Sequence, residues 1–212
     1  MKPGVETGCR AASRCPVVGG AFATRFWGSA ITETITETIT EMVTESIELY
    51  LVRHARAFDR DGAAWPDDSR RPLTHRGRDR FARLARRLGR GMPPVELLES
   101  SGFTRAWQTA LLLHGEAGWP PPVRFEALES ADPASIVGMR RSLAAMRGIR
   151  SVAWVGHEPQ LGRLASLLLT GRPDGMSMVF RKGGVMRLEV PTNPDAAARL
   201  VWMVTPRLMR GR

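Results

Sequence analysis

Ile47-Glu48-Leu49-Tyr50-Leu51-Val52-Arg53-His54 opens as a short apolar run and closes on two polar residues. A run this short, bounded by charge, reads as a buried strand with the Arg-His pair at its carboxyl end. The same grammar recurs twice. Residues 95–98 read as a strand followed by Ser100 to Arg105, and residues 151–155 as a strand followed by Gly156-His157-Glu158. Helix signals lie between them. Thr74 can cap a helix in which Phe81, Leu84, Ala85 and Leu88 share one face, with Arg76, Arg83, Arg86, Arg87 and Arg90 opposite and Gly89 or Gly91 at its end. Residues 103–113 read as a helix, Asp132-Pro133 starts another that runs to Met146, and Pro159 opens one lined by Leu161, Leu164, Ala165 and Leu168. Residues 185–190 and 200–204 read as two late strands. Strands separated by helices predict an α/β fold, a three-layer α/β/α sandwich with a mostly parallel central sheet.

In an open parallel sheet, ligands bind in the crevice beyond the carboxyl ends of the strands. Sequence order therefore brings His54, Arg105 and His157 to one edge. Two arginines and two histidines make an anion site, because the guanidinium fork matches phosphate oxygens and keeps its charge at any working pH. Phosphoryl transfer asks mainly for positioning and positive charge, and a neutral histidine can serve as covalent nucleophile. His75, in a first helical turn, and His114, at a helix end, lack this placement and read as structural. No G-x-x-x-x-G-K-[ST] and no G-x-S-x-G occurs, which removes the P-loop and the usual serine-hydrolase signal. Hydrolytic metal centres mix histidine with carboxylate or cysteine at tighter spacing, so no metal is expected.

The formal charge of +10 is carried by arginine, since Lys2 and Lys182 are the only lysines. The excess belongs to residues 43–212 and favours anionic partners, although arginine-for-lysine composition bias is an equally good account. The arginine face of residues 76–90 has no interleaved aromatics to stack bases, so nucleic acid is the weaker reading. Cys9 and Cys15 both precede the domain and form no metal-ligand pair. No stretch of 18 apolar residues and no secretory h-region occurs, which points to a cytoplasmic protein off the membrane. Residues 1–46, with an Ile-Thr-Glu repeat over 31–46, read as a low-complexity, disordered extension, and Met42 offers an alternative start. Residues 47–212 read as the folded domain.

Four segments carry a resemblance. Leu49 to Ala55 resembles the opening strand and Arg-His-Gly/Ala motif of the histidine phosphatase superfamily. Arg71-Pro72-Leu73-Thr74 with Gly77 resembles the Arg-Pro-Leu-Thr-x-x-Gly element of its SixA-like branch. Ser101 to Ala110 resembles Ser-Pro-x-x-Arg-Ala-x-Gln-Thr-Ala, and Val155-Gly156-His157-Glu158-Pro159 its second histidine motif. The likeness extends to Trp202-Met203-Val204-Thr205-Pro206 with Leu208.

The resemblance implies a phosphoglycerate mutase-like fold and a phosphatase without cofactor or metal. His54 would be phosphorylated, while Arg53, Arg105 and His157 hold the phosphoryl oxygens. Arg53 beside His54 is expected to favour its neutral form. Ala55 replaces the commoner glycine, and Gly102 stands where proline is usual, so a looser loop before Arg105 is expected. The family's general acid has no clear match. Glu129 and Glu158 are the candidates, each with a structural or capping role as the alternative. A site without an acid favours phosphohistidine on a protein, whose imidazole can be protonated before it leaves, over small phosphorylated metabolites. A phosphate-ester phosphatase is the runner-up, and a basic module that binds nucleic acid or phosphoprotein without catalysis is the reading of another class.

Overall fold

The computed structural model describes residues 46–130 and 132–207. The repeat over 31–46 except Ser46, Met42, both cysteines and Leu208 lie outside the described residues.

Six strands form one sheet: β1 (Ser46–Arg53), β2 (Leu97–Ser100), β3 (Val123–Arg124), β4 (Ser151–Gly156), β5 (Val185–Pro191) and β6 (Arg199–Val204). Their spatial order is β3-β2-β4-β1-β5-β6. β1, β2, β3 and β4 pair in parallel, whereas β5 runs antiparallel to both β1 and β6. The sheet is thus mostly parallel, as the alternation of strands and helices predicts. Four helices cover it: α1 (His75–Gly91), α2 (Thr104–Ala117), α3 (Pro133–Ala145) and α4 (Gln160–Thr170).

The central strand explains the layering. Its residues alternate between two cores. Tyr50 and Val52 pack with Phe81, Leu84 and Leu88 of α1 and with Ala106, Ala110 and Leu113 of α2. Ile47, Leu49 and Leu51 pack with Met139 and Leu143 of α3 and with Leu161, Leu164 and Leu168 of α4. Both faces are covered, and each fully buried large side chain contributes about 1.5–3 kcal/mol.

Local chemistry sets the element boundaries. Thr74 caps α1 by accepting from the Gly77 amide at 3.0 Å. Asp132 caps α3 by accepting from the Ser135 amide at 2.8 Å, with Pro133 in the first turn. Several boundaries differ from the sequence reading. Gly89 lies inside α1, where a Cβ would stand 2.7 Å from the Ala117 backbone, so it serves close helix packing and Gly91 is the last helical residue. Strand β2 begins at Leu97 rather than Val95, and α2 runs on to Ala117, where Gly118 adopts φ of 71°. The two-residue β3 carries too little apolar pattern to be read from sequence.

The Arg-Pro-Leu-Thr segment owes its last glycine to one close approach. A Cβ on Gly77 would lie 2.1 Å from the Arg56 carbonyl oxygen, on the chain leaving β1. Gly77→Ala would gain up to about 1 kcal/mol of helix propensity and lose more to this clash. We expect it to destabilise the protein by about 1–3 kcal/mol in a urea titration. Unchanged or raised stability would show that α1 does not pack against this segment.

Candidate active site

The parallel register places the polar clusters. Arg53 of β1 stands opposite Gly156 of β4, so His54 and His157 leave the sheet side by side. The His54 amide donates to the Gly156 carbonyl at 3.0 Å, and the two imidazole centroids lie 5.2 Å apart. Ser100 stands opposite Val155, and the Ser101 amide donates to the Val155 carbonyl at 3.0 Å. Arg105 then enters from the first turn of α2 and is buried. The structure therefore brings His54, Arg53, Arg105 and His157 to one edge of the sheet.

Each side chain is held in place. The His54 Nδ1–H donates to the Ala55 carbonyl at 2.7 Å, which leaves the lone pair on Nε2. His157 Nε2 lies 3.0 Å from Ser101 Oγ, which itself accepts from the Phe103 amide at 3.2 Å. In the tautomer where Ser101 Oγ donates to Nε2, the ring proton of His157 sits on Nδ1. Arg53 donates to the Phe180 carbonyl at 2.6 Å. Arg105 donates to the Asp68 carbonyl at 2.7 Å, pairs with the Asp68 carboxylate at 3.1 Å and covers the Phe103 ring at 5.0 Å. Arg53 Nε, Arg105 Nε and His157 Nδ1 are buried without a hydrogen-bond acceptor from the protein. These three donors suit the oxygens of a tetrahedral anion.

Burial governs the electrostatics. His54 is only 5% exposed, and its desolvation pushes the imidazole down to about 3. The charge of Arg105 adds to that more than the charge of Arg53, so Arg53 is a minor contributor and burial the main one. Burial likewise lowers His157 to about 3, helped by His54 and Arg105. Both rings are neutral near pH 7. The arginines lose proton affinity through burial as well, but start so high that they stay charged.

The two glutamates have separate structural attachments. Glu129 accepts from the Gly102 amide at 2.9 Å and pairs with Arg124 at 2.8 Å. The Arg124 bond holds its carboxyl below the ordinary carboxylate range. A proline at 102 could not donate that amide hydrogen. The loop expected to be looser is therefore fastened by Glu129. Glu158 lies near Arg53 with its carboxyl against Gly162 in the first turn of α4, and burial raises its proton affinity.

Ser101, Asp68 and Arg71 went unread as site residues. Arg71 is buried and bonds Asp68 at 2.8 Å, and Asp68 in turn holds Arg105. The acidic-basic run Asp67-Asp68-Ser69-Arg70-Arg71 was the available signal, but its short 3-10 turn has no periodicity to orient it. The motif residues of α2 act similarly. Gln108 accepts from the Leu73 amide at 2.9 Å, and Thr109 accepts from the Ala55 amide at 3.0 Å. No cluster of three His, Cys, Asp or Glu side chains suited to a metal, and no helix long and apolar enough to cross a membrane, occurs among the described residues.

Comparison with known proteins shows the family and the fold. The sequence model of the histidine phosphatase superfamily (branch 1) matches residues 49–163. An uncharacterized protein of Picosynechococcus sp. strain PCC 7002 is 33% identical over 144 residues, which cover 67% of this chain and 84% of that protein. Among solved structures, the protein histidine phosphatase SixA complexed with tungstate superposes with a TM-score of 0.67 at 22% identity, over 77% of this chain and all of that one. The alpha-ribazole phosphatase from Shigella flexneri superposes at 0.60 and 14% identity, over 76% of this chain and 97% of that one. Both likenesses are of fold.

The neutral histidines tie stability to pH. Their folded-state affinity is depressed from the ordinary 6.5 to about 3, so the unfolded chain binds more protons within that window. Stability is fully present above about pH 6.5 and falls as the pH drops. At pH 5 each histidine should cost about 2 kcal/mol relative to pH 7. Unfolding titrations should show uptake of about two protons from these groups at pH 5. Less uptake in His157→Phe would assign one of them, and no change between wild type and variant would refute the depressed values.

Proposed function

The chain belongs to the histidine phosphatase superfamily, and we propose that it removes phosphate from phosphohistidine carried on another protein. Family membership makes it a hydrolase that releases phosphate. The finer assignment rests on one observation, that Glu129 is fastened to Arg124 and the Gly102 amide and held ionised there, so it is not set to protonate a departing alkoxide. The Glu158 carboxyl lies against Gly162 near Arg53.

In this reading His54 Nε2 attacks the phosphorus. Arg53, Arg105 and His157 Nδ1–H hold the equatorial oxygens. The P–N bond of the substrate breaks as a new P–N bond forms to His54. A substrate imidazole already protonated on its other nitrogen leaves neutral and needs no proton from the enzyme. The His54 Nδ1–H, bonded to the Ala55 carbonyl, gives the phosphorylated ring the same character. Water then attacks the phosphorus, His54 leaves as neutral imidazole, and the proton lost by water goes to solvent. The SixA neighbour is a protein histidine phosphatase, which fits this reading.

The raised proton affinity of Glu158 favours a second reading, a phosphatase of small esters like the alpha-ribazole phosphatase neighbour, with Glu158 as the proton donor. The two separate on one panel. With a phosphohistidine protein as substrate, His54→Ala should lower turnover about a thousandfold or more. Glu158→Gln should change it by less than about threefold, whereas loss of a working acid costs about a hundredfold or more. Faster turnover of an ester than of phosphohistidine, abolished in Glu158→Gln, would replace the first reading with the second.

A further inference from the structure

A cavity of about 940 Å³ opens beside the site and shares Arg53 and Ala55 with it. Its wall is assembled from four separate stretches of chain. Arg56 follows β1, Arg80 comes from α1, Arg181 and Lys182 precede β5, and Arg207 follows β6. Asp59 is the one carboxylate among the described residues that line it.

This cluster is built into the fold. The turn carrying Lys182 is fastened to the end of β1, because the Gly183 amide donates to the His54 carbonyl at 2.9 Å and the Arg53 backbone amide donates to the Gly184 carbonyl at 3.0 Å. Gly183 has φ of 74°, a conformation that side chains disfavour, and it lets the turn close over Arg53. Lys182 stands near enough to Arg53, Arg56 and Arg71 for their charges, after burial, to lower its proton affinity. Like charges held this close in a cavity are relieved by an anion.

We propose that this cavity is a second anionic subsite, which receives carboxylate side chains flanking the phosphohistidine of an acidic protein segment. The inference rests on the phosphohistidine reading above. A protein segment fits the wall better than a second phosphate on a small molecule. The cations are spread over four stretches of chain instead of converging on one point. The wall also includes Val179, 73% exposed, an apolar surface that a polypeptide can cover.

The test uses the full chain and two synthetic phosphohistidine peptides, one flanked by glutamates and its twin by glutamines. The glutamate peptide should be hydrolysed with about tenfold higher kcat/KM, mostly through KM, as several exposed charge pairs together would give. The preference should shrink as sodium chloride is raised toward 1 M. Arg181→Glu with Lys182→Glu should abolish or reverse it. The ratio between twins is read within each enzyme sample, so a partly unfolded variant still reports. Equal rates on both peptides would overturn the subsite and leave the phosphohistidine reading standing. A preference for a small bisphosphate over its monophosphate, with the twins equal, would reassign the cavity to a second phosphate. Failure on both peptides alongside rapid ester hydrolysis would overturn both the subsite and the reading beneath it.

Discussion

The parallel register between β1 and β4 is the constraint on which the site depends. Arg53 opposite Gly156 sets His54 beside His157, and the adjoining β2–β4 register sets Ser101 within reach of His157. The register is fixed by packing rather than by the polar residues it serves. A one-residue slip of β1 would turn Leu49 and Leu51 from one core to the other and exchange them with Tyr50 and Val52. Because both faces are covered, the slip would leave each core with side chains of the wrong shape, at about 1–3 kcal/mol for each misfit, so several misfits together outweigh any single contact in the site. The apolar half of the opening octapeptide thus positions its polar half.

Burial then does what neighbouring charge alone would not. A histidine flanked by arginines on an open surface would lose its proton only slightly, because solvent screens the repulsion. Enclosed at the strand ends, both rings become neutral while the guanidiniums stay cationic. In the proposed reading, a neutral nucleophile then stands among positive charges able to receive the phosphoryl oxygens. Burying Arg105 would be expensive if it were left alone. Asp68 offsets that cost, with Arg71 bracing the carboxylate from behind. An incoming phosphoryl group must compete with Asp68 for the ends of the guanidinium fork, whereas the buried Nε of Arg105 faces no such competitor.

The sequence made some of this legible and hid the rest for physical reasons. Strands ending in polar residues were readable because a short apolar run has few alternatives, and the order of strands and helices carried the topology. Caps such as Thr74 and Asp132 were readable because their chemistry is local. The roles of Ser101, Asp68 and Glu129 were not. Each acts through a partner distant in sequence: His157, Arg105 and the Gly102 amide. Gly102 shows the difficulty well. Read alone, a glycine in place of proline suggests a freer loop, yet the amide hydrogen it restores is what Glu129 grips. The basic cavity was invisible for the same reason, since its wall is drawn from segments as far apart as Arg53 and Arg207.

Composition bias toward arginine would explain a high net charge, but it does not explain where the charge gathers. Elsewhere on the surface several arginines pair with carboxylates. Arg86 pairs with Glu116 at 2.6 Å, Arg124 with Glu129 at 2.8 Å, Arg150 with Glu96 at 3.2 Å, and Arg199 with Glu189. Such pairs are worth little individually, yet they flatten the field around the molecule. The cavity wall gathers Arg53, Arg56, Arg80, Arg181, Lys182 and Arg207, with Asp59 the one carboxylate among the described residues that line it. Low-dielectric walls lined by one sign of charge focus its field. In the proposed reading, a phosphoryl group brought to His54 arrives beside this cluster of cations, where further negative charge on its carrier lowers the free energy of approach.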